Sequence, residues 1–260
     1  MDQLLALSAA HKSTLHEDRK SLFQTEATRL QTRALAEFNA ANAEISDQNC
    51  LAMFMFSVFL GHQVLFDTFS CLDNLSMVLD KFVQCLSLHR GICTIASRSW
   101  SDIESRMYAH LSIDSAPTES SQCSHQSGEC ADLLELIRRS DLSSPASEAY
   151  SGAIDALQLI FDRQRSEESS ETRRITVIQE WPVRISTDYI ALLDQRRPEA
   201  LVILAYYAVL LHRARDYWAV GDAGDFLIRS IGHQLGVYWD KWLQWPKQAV
   251  GLSGTADGLS

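Results

Sequence analysis

The sequence predicts an all-α protein, a single helical domain built around two buried central helices with an apolar pocket. Two long runs, at residues 51–60 and 200–211, are apolar on nearly every side, as expected of helices inside a core. Other segments place apolar residues at spacings of three and four, which is typical of amphipathic helices. No stretch of any length shows the alternation of a β-strand, so we expect helices throughout.

Three helices are predicted in the N-terminal part of the chain. The segment LLALSAAH at residues 4–11 forms a first helical piece, and a long amphipathic helix covers residues 15–45. Ser46 and Asp47 can cap the next helix, whose run LAMFMFSVFL predicts one of the two central helices. The apolar face of the long amphipathic helix is formed by Leu22, Phe23, Ala27, Leu30, Ala34, Leu35 and Phe38.

The middle of the chain carries further helical patterns. Residues 73–97 continue the helical spacing until a His-Arg-Gly sequence at 89–91 interrupts it. Shorter helices are predicted at residues 133–137 and 146–161.

Polar segments separate these helices. Loops are expected near residues 114–130, which are rich in serine, and 163–174, which carry many charges. The domain is expected to span residues 1–250 and to be followed by a disordered tail at 251–260.

The central helix near the C-terminus has the clearest boundaries. It is predicted to begin at Pro198, where a missing N–H costs nothing, and to continue to Trp218. A turn is expected around Asp222, and a second helix follows from Asp225 until Gly236 ends it. An aromatic cluster comes next, formed by Tyr238, Trp239, Trp242 and Trp245.

The bulk properties limit the possible partners. The formal net charge of -10 comes from 33 acidic and 23 basic residues, which disfavours direct binding of nucleic acid by this surface. The most apolar stretch, residues 50–66, contains Gly, His and Gln and is better explained as buried than as a membrane span. The N-terminus lacks the pattern of a secretory signal, so we expect the protein in the nucleus or cytoplasm, with reduced cysteines.

No metal or cofactor is predicted. A zinc binuclear cluster needs closely spaced thiolates, whereas the cysteines of this chain are scattered. Cys123, His125 and Cys130 could ligate a soft metal, but they lack a convincing fourth ligand at standard spacing. The six cysteines are Cys50, Cys71, Cys85, Cys93, Cys123 and Cys130.

Catalytic motifs are also missing from the sequence. It contains no G-x-S-x-G elbow, no P-loop, no G-x-G-x-x-G and no aspartate-rich magnesium motif. His212 and Asp216 are four residues apart and could perform acid–base chemistry together with Asp222, although a helix-end ion pair and a helix cap explain the same residues.

Several segments resemble one family in order along the chain. They are LLALSAAH, NCLAMFMFS, LSLHRGI, WPVRIS, YIALLDQRRPEA, ALVILAYYAVLLHRARDYWAVGDAGDFLI and WLQWP. Together they resemble the C-terminal regulatory domain of fungal sterol uptake control regulators, a branch of the zinc binuclear cluster transcription factors. The resemblance covers most of the chain, but the zinc cluster that would read DNA is absent from it.

The resemblance implies a ligand-sensing regulatory domain. A sterol or another lipophilic small molecule would occupy an apolar pocket and shift a conformational or partner equilibrium, with a homodimer or a partner transcription regulator carrying the signal. The residues expected to contact the ligand are aromatic or apolar: Phe54, Phe56, Tyr206, Tyr207, Leu210, Trp218, Phe226 and Trp242.

An enzyme is the alternative. The same pocket could serve a cyclase or isomerase of fungal secondary metabolism, which needs shape and one acid–base group. In that case His212, Asp216 and Asp222 would be the catalytic residues.

Overall fold

The computed structural model describes residues 1–41, 49–88, 128–166 and 171–252. These residues form eleven α-helices and two short 3-10 helices and contain no β-strand, so the predicted all-α fold class is confirmed. The predicted loop near 114–130 lies largely outside the described residues, as do positions 253–260 of the predicted tail.

The helices pack into two compact units, each of which is described by itself. The first unit comprises residues 1–70 and 88–121, and the second comprises residues 71–87 and 122–260. The predicted domain boundaries at residues 1 and 250 stay a prediction.

Three helices form the described part of the first unit: α1 (Asp2–Leu15), α2 (Lys20–Ala41) and α3 (Cys50–Phe69). Helix α1 packs against both others. The small buried side chains of α1 and α2 allow close packing and include Ala6, Ala9, Ala10, Ala27 and Ala34.

The predicted helix over residues 15–45 begins too early. His16, with φ −128° and ψ 85°, leaves the helical conformation, and the 3-10 helix Glu17–Arg19 separates α1 from α2. After this break, helix α2 has a buried apolar face that includes Ala27 and Leu30. Residues 42–48, including the expected capping pair, lie outside the described residues.

Helix α3 is only partly the buried central helix that its composition predicts. Its second half buries Leu60, Leu65, Phe66 and Phe69, whereas most of residues 51–59 are half-buried. An apolar run sets the preference for burial, but the surrounding helices decide how much of the run is covered. The segment Leu51–Phe69 is long and apolar enough to cross a membrane. This is weak evidence for a membrane span, because the core helices of other proteins share these properties. The predicted absence of a span stays a prediction.

The second unit surrounds one helix whose middle is fully buried. This helix, α9 (Pro198–Arg213), has Pro198 at its start, as predicted, and all its residues from Ala200 to Leu211 are buried. The helices that precede it are residues 75–88 (α4), Ala131–Arg139 (α5), Ser144–Ser166 (α6), Glu171–Arg184 (α7) and Thr187–Asp194 (α8). Those that follow are Ala223–Leu235 (α10), the 3-10 helix Val237–Trp239 and Asp240–Ala249 (α11).

The predicted polar loop at residues 163–174 is much shorter than expected. Helix α6 continues to Ser166 and α7 begins at Glu171. Arg163 on α6 forms an ion pair with Glu180 on α7, at 2.5 Å between Nη1 and Oε1, so charged side chains here join two helices. The charge pattern alone does not distinguish such a helix surface from a loop.

Helix α9 ends five residues earlier than predicted, at Arg213. Tight turns follow, in which Tyr217 N–H donates to the Ala214 carbonyl and Val220 N–H donates to the Tyr217 carbonyl. The turn around Asp222 is confirmed, because α10 begins directly after it. Gly236 ends α10 with a φ of +74°, in the left-handed region that favours glycine, as predicted.

Gly224 permits a close approach of α10 to α9. A Cβ atom on Gly224 would lie 2.4 Å from the backbone nitrogen of His212 and 2.5 Å from the carbonyl oxygen of Ala208. Backbone atoms of a buried helix cannot move aside as a flexible side chain can. The contact between the two helices therefore requires glycine at this position.

We expect Gly224→Ala to destabilise the protein by about 1–3 kcal/mol, because the added methyl group forces α9 and α10 apart. The measurement is the free energy of unfolding from urea denaturation. Gly152→Ala is the matched control: it places the same methyl group at an exposed position of helix α6 with nothing within 4 Å and should stabilise by about 0.5–1 kcal/mol. A Gly224→Ala variant as stable as the wild type would contradict this account of the helix contact.

Candidate functional site

Tyr207 is held in the core of the second unit by a hydrogen bond that Pro182 makes necessary. Its hydroxyl donates to the Ile178 carbonyl at 2.5 Å. In helix α7 this carbonyl would normally accept from the residue four positions later, but that residue is Pro182, which has no N–H. The ring of Tyr207 stacks on Trp181, with 4.5 Å between centroids. The hydroxyl of Tyr207 therefore replaces the backbone donor that Pro182 removes from helix α7.

Tyr206 is equally buried, but its hydroxyl has no hydrogen-bond partner. Its ring stacks on Trp245 of α11 at 4.9 Å between centroids. Burial, followed by the nearby carboxylate of Asp132 and the thiol of Cys130, raises the pKa of Tyr206 far above its ordinary value. The hydroxyl stays protonated and offers a donor near the start of α5.

The predicted ligand residues are divided between the two units. Phe54 and Phe56 lie on α3 in the first unit, and the other six lie in the second. The six comprise the buried Tyr206, Tyr207, Leu210 and Trp242 and the half-buried Trp218 and Phe226. Tyr206 and Tyr207 stack on different tryptophans, Trp245 and Trp181. The ligand contacts of the whole set stay a prediction.

A cleft of about 300 Å³ opens among α1, α2 and α3 in the first unit. Of the predicted ligand residues, Phe56 lines it and stacks on Phe38, with 4.4 Å between centroids and 5° between ring planes. The remaining apolar lining is Met1, Ala34, Ala52 and Met53, and the polar lining is Asp2, Gln3 and Glu37.

Gln3 is the buried polar residue of this cleft, with 3% of its surface exposed. Its Nε2 donates to Oε1 of Gln63 at 2.9 Å, while its own Oε1 has no hydrogen-bond partner. Nothing in the sequence singles out Gln3, because a glutamine near the start of a helix is ordinarily exposed and its partner is 60 positions away. A buried acceptor left unpaired costs free energy unless something donates to it.

A second cleft, of about 450 Å³, lies in the second unit between the beginning of α4 and the second half of α10. Its lining is mostly polar, so it differs from the apolar pocket that the sequence predicts. The residues are Asn74, Leu75, Ser76, Arg229, Ser230, His233 and Gln234.

The alternative catalytic residues lie around the turn between α9 and α10. His212 is half-buried, whereas Asp216 and Asp222 are exposed. Partial burial and then the guanidinium of Arg215 lower the pKa of His212, while Asp225 and Asp222 oppose the shift. Arg215 Nη1 lies 3.2 Å from Nε2 of His212. A guanidinium can only donate, so the lone pair of Nε2 is already engaged and is poorly placed to take a proton from a substrate.

Three cysteine side chains are described, and the pKa of each thiol is raised rather than lowered. Cys85 and Cys130 are buried, which raises the pKa of both thiols, to about 12 for Cys85. Cys71 is exposed, and a hydrogen bond to Asp73 raises its pKa. Over the described ranges, no three His, Cys, Asp or Glu side chains come together as a metal site would require. Cys93, Cys123 and His125 lie outside these ranges.

One curated protein is similar to this chain over nearly the whole chain length. The chain is 22% identical, over 273 residues, to a Zn(2)-C6 fungal-type transcription factor of Gibberella zeae. The alignment covers 98% of this chain and 54% of the relative, so the chain spans about half the length of the curated relative it matches. No protein-family profile matches the chain. No solved structure matches it either.

The two adjacent tyrosines give opposite expectations when each loses its hydroxyl. Tyr207→Phe should destabilise by about 1–3 kcal/mol, because it leaves the Ile178 carbonyl without a donor. Tyr206→Phe removes a buried group that has no partner in the protein and should be neutral within about 0.5 kcal/mol or slightly stabilising. Urea denaturation of both variants measures the difference, and equal losses of stability would contradict the hydrogen-bond assignment.

The lowered pKa of His212 predicts a pH-dependent stability. As the pH falls below the ordinary histidine value of 6.5, the unfolded chain binds a proton at this residue before the folded protein does. His212 therefore contributes a loss of stability on acidification from about pH 7.5 to about pH 5.5. His212→Gln should lose less stability than the wild type between these two conditions in urea denaturation. A larger loss in the variant would mean that the sign of the pKa shift is wrong.

Proposed function

We propose that the chain is the ligand-sensing regulatory region of a fungal transcription regulator. It binds a sterol-like or other lipophilic small molecule and acts through protein partners. The observation that carries the proposal is the similarity to the Gibberella zeae transcription factor, which extends over 98% of the chain.

The surface charge favours action through a partner. With a formal net charge of -10, the chain repels a phosphate backbone rather than neutralising it. The similar protein of Gibberella zeae is named a Zn(2)-C6 fungal-type transcription factor. The alignment covers 54% of that protein. We propose that the protein acts in the nucleus, as a homodimer or together with a second transcription regulator.

The physical features of the first unit suit a lipophilic ligand. A cleft lined by Phe38, Met53 and Phe56 with a few polar groups is the usual composition of a small-molecule site. A ligand that binds one conformation more tightly than another shifts the population between them. Ligand occupancy would then alter which surfaces are presented to the partner.

The enzyme alternative gains no support from the described geometry. His212 shares its Nε2 with Arg215, and Asp216 and Asp222 lie on exposed turns rather than inside a water-excluded cavity. Acid–base catalysis is most effective where the reacting group is shielded and its proton acceptor is available.

A reporter experiment tests the regulatory proposal. The chain is fused to an unrelated DNA-binding domain and expressed in a yeast reporter strain that is grown with and without added ergosterol or geraniol. We expect reporter output to change with one of these lipids, because ligand binding biases the conformation that the partner recognises.

The control for this experiment is the DNA-binding domain alone, whose output should not respond. Output from the fusion that stays constant with both lipids, while the fusion accumulates to a normal level, would contradict the proposed function. Recovery of a bound lipid by native mass spectrometry would identify the ligand directly.

A further inference from the structure

We infer that the chain forms a homodimer through helix α1, whose exposed face pairs in antiparallel orientation with the same face of a second copy. The inference rests on the action through protein partners in the proposed function. It adds the identity of one partner, a second copy of this chain, and the surface through which the two copies bind.

Helix α1 is apolar on two opposite sides. One side packs inside the first unit and carries the buried residues Gln3, Ala6, Ala9, Ala10 and Ser13. With about 3.6 residues per turn, the opposite side carries Leu4, Leu5 and Leu15. These leucines are 41%, 47% and 64% exposed, so this side remains largely open to solvent. Apolar residues that share one exposed face indicate an interaction surface.

The exposed side has the spacing of a coiled-coil seam. Leu4, Ser8, His11 and Leu15 follow one another at intervals of four, three and four residues. The hydroxyl of Ser8 donates to the Leu4 carbonyl at 2.8 Å, so it brings no unpaired donor into an interface. Ser8 is also small. A second helix can therefore approach closely at the middle of this strip while leucines pack at its two ends.

The strip is complementary to itself when it is reversed. Leu4 lies four residues before Ser8, and Leu15 lies four residues after His11. In an antiparallel pair, Leu4 of each copy faces Leu15 of the other, and Ser8 faces His11 in the middle. A polar layer inside an apolar seam fixes the register of the two helices. The same surface on both copies is what a dimer with two-fold symmetry requires.

The charges favour the antiparallel orientation. Asp18 is exposed just beyond the C-terminal end of α1, and its neighbour Glu17 is already paired with Lys20 at 3.5 Å. In an antiparallel pair, Asp18 lies beside the first turn of the other copy's α1, where backbone N–H groups carry partial positive charge. No side chain caps this end of α1 in the described structure, and the exposed guanidinium of Arg33 lies there, paired with Asp2. A parallel pair would instead place two positive helix ends together.

Sedimentation velocity of the whole chain over a range of concentrations tests the dimer. One helix of 14 residues from each copy gives a smaller contact than a standard interface. We therefore expect a dissociation constant on the order of 10–100 µM. A chain that stays monomeric at about 500 µM would overturn the inference.

The variant Leu15→Glu tests the location of the interface. It places a charge in both apolar layers and should weaken dimerisation by at least about tenfold. The fold should be retained because Leu15 is exposed, and urea denaturation checks this. Val237→Glu is the matched control, since it changes an apolar residue of the second unit that is 85% exposed and should leave dimerisation unchanged. Equal dimerisation of Leu15→Glu and the wild type would overturn the location.

A mixing experiment tests the orientation. Leu4→Lys and Leu15→Glu should each dimerise poorly alone, because every apolar layer of either homodimer contains an unpaired charge. In a mixture, the antiparallel register brings the ammonium and the carboxylate together in one layer and two native leucines together in the other. We expect the mixture to dimerise at least about tenfold more tightly than either variant alone. A mixture that dimerises no better than the separate variants would overturn the antiparallel register.

The outcomes separate this inference from the proposed function. Reporter output that responds to a lipid, combined with a chain that is monomeric at every concentration, would overturn the dimer and leave the regulatory function standing. A dimer that Leu15→Glu disrupts, combined with a reporter that never responds, would support the interface and contradict the function.

Discussion

The structure of the second unit depends on the burial of helix α9 from Ala200 to Leu211. From Ala200 to Leu211 every residue is removed from water, so each polar group on it must find a partner inside the protein or remain unpaired at a cost. The surrounding helices meet this constraint in specific ways. Tyr189 donates its hydroxyl to the Ala200 carbonyl at 3.0 Å, and Tyr207 on α9 donates to α7 where Pro182 has removed a donor. The polar groups of the core thereby fix how the neighbouring helices are placed.

Two buried polar atoms without a partner lie in different units of the protein. The hydroxyl of Tyr206 belongs to a ring stacked on Trp245 in the second unit. The Oε1 atom of Gln3 belongs to a residue that lines a cleft of the first unit, but the atom itself is buried. Each is a polar group whose burial costs free energy because no donor or acceptor in the protein compensates it.

The regulatory function that we propose connects these physical features with the distant similarity to a transcription factor. A strongly acidic helical protein is suited to contacts with other proteins rather than with DNA. A cleft formed by three helices can couple a ligand to those contacts, because a ligand that binds among helices favours the arrangement that accommodates it. The similarity covers about half of the relative's length.

The sequence by itself determined the helical class and the identity of the buried helix. The run from Ala200 to Leu211 is apolar apart from two tyrosine hydroxyls, so it leaves no polar face to expose. Local chemistry also fixed the turn near Asp222 and the helix end at Gly236. Tertiary packing decided the rest: how much of α3 is covered, where α9 stops, and that charged residues near Arg163 join two helices. It also brought Gln3 to Gln63, since partners far apart in sequence leave no periodic pattern and meet only when helices pack.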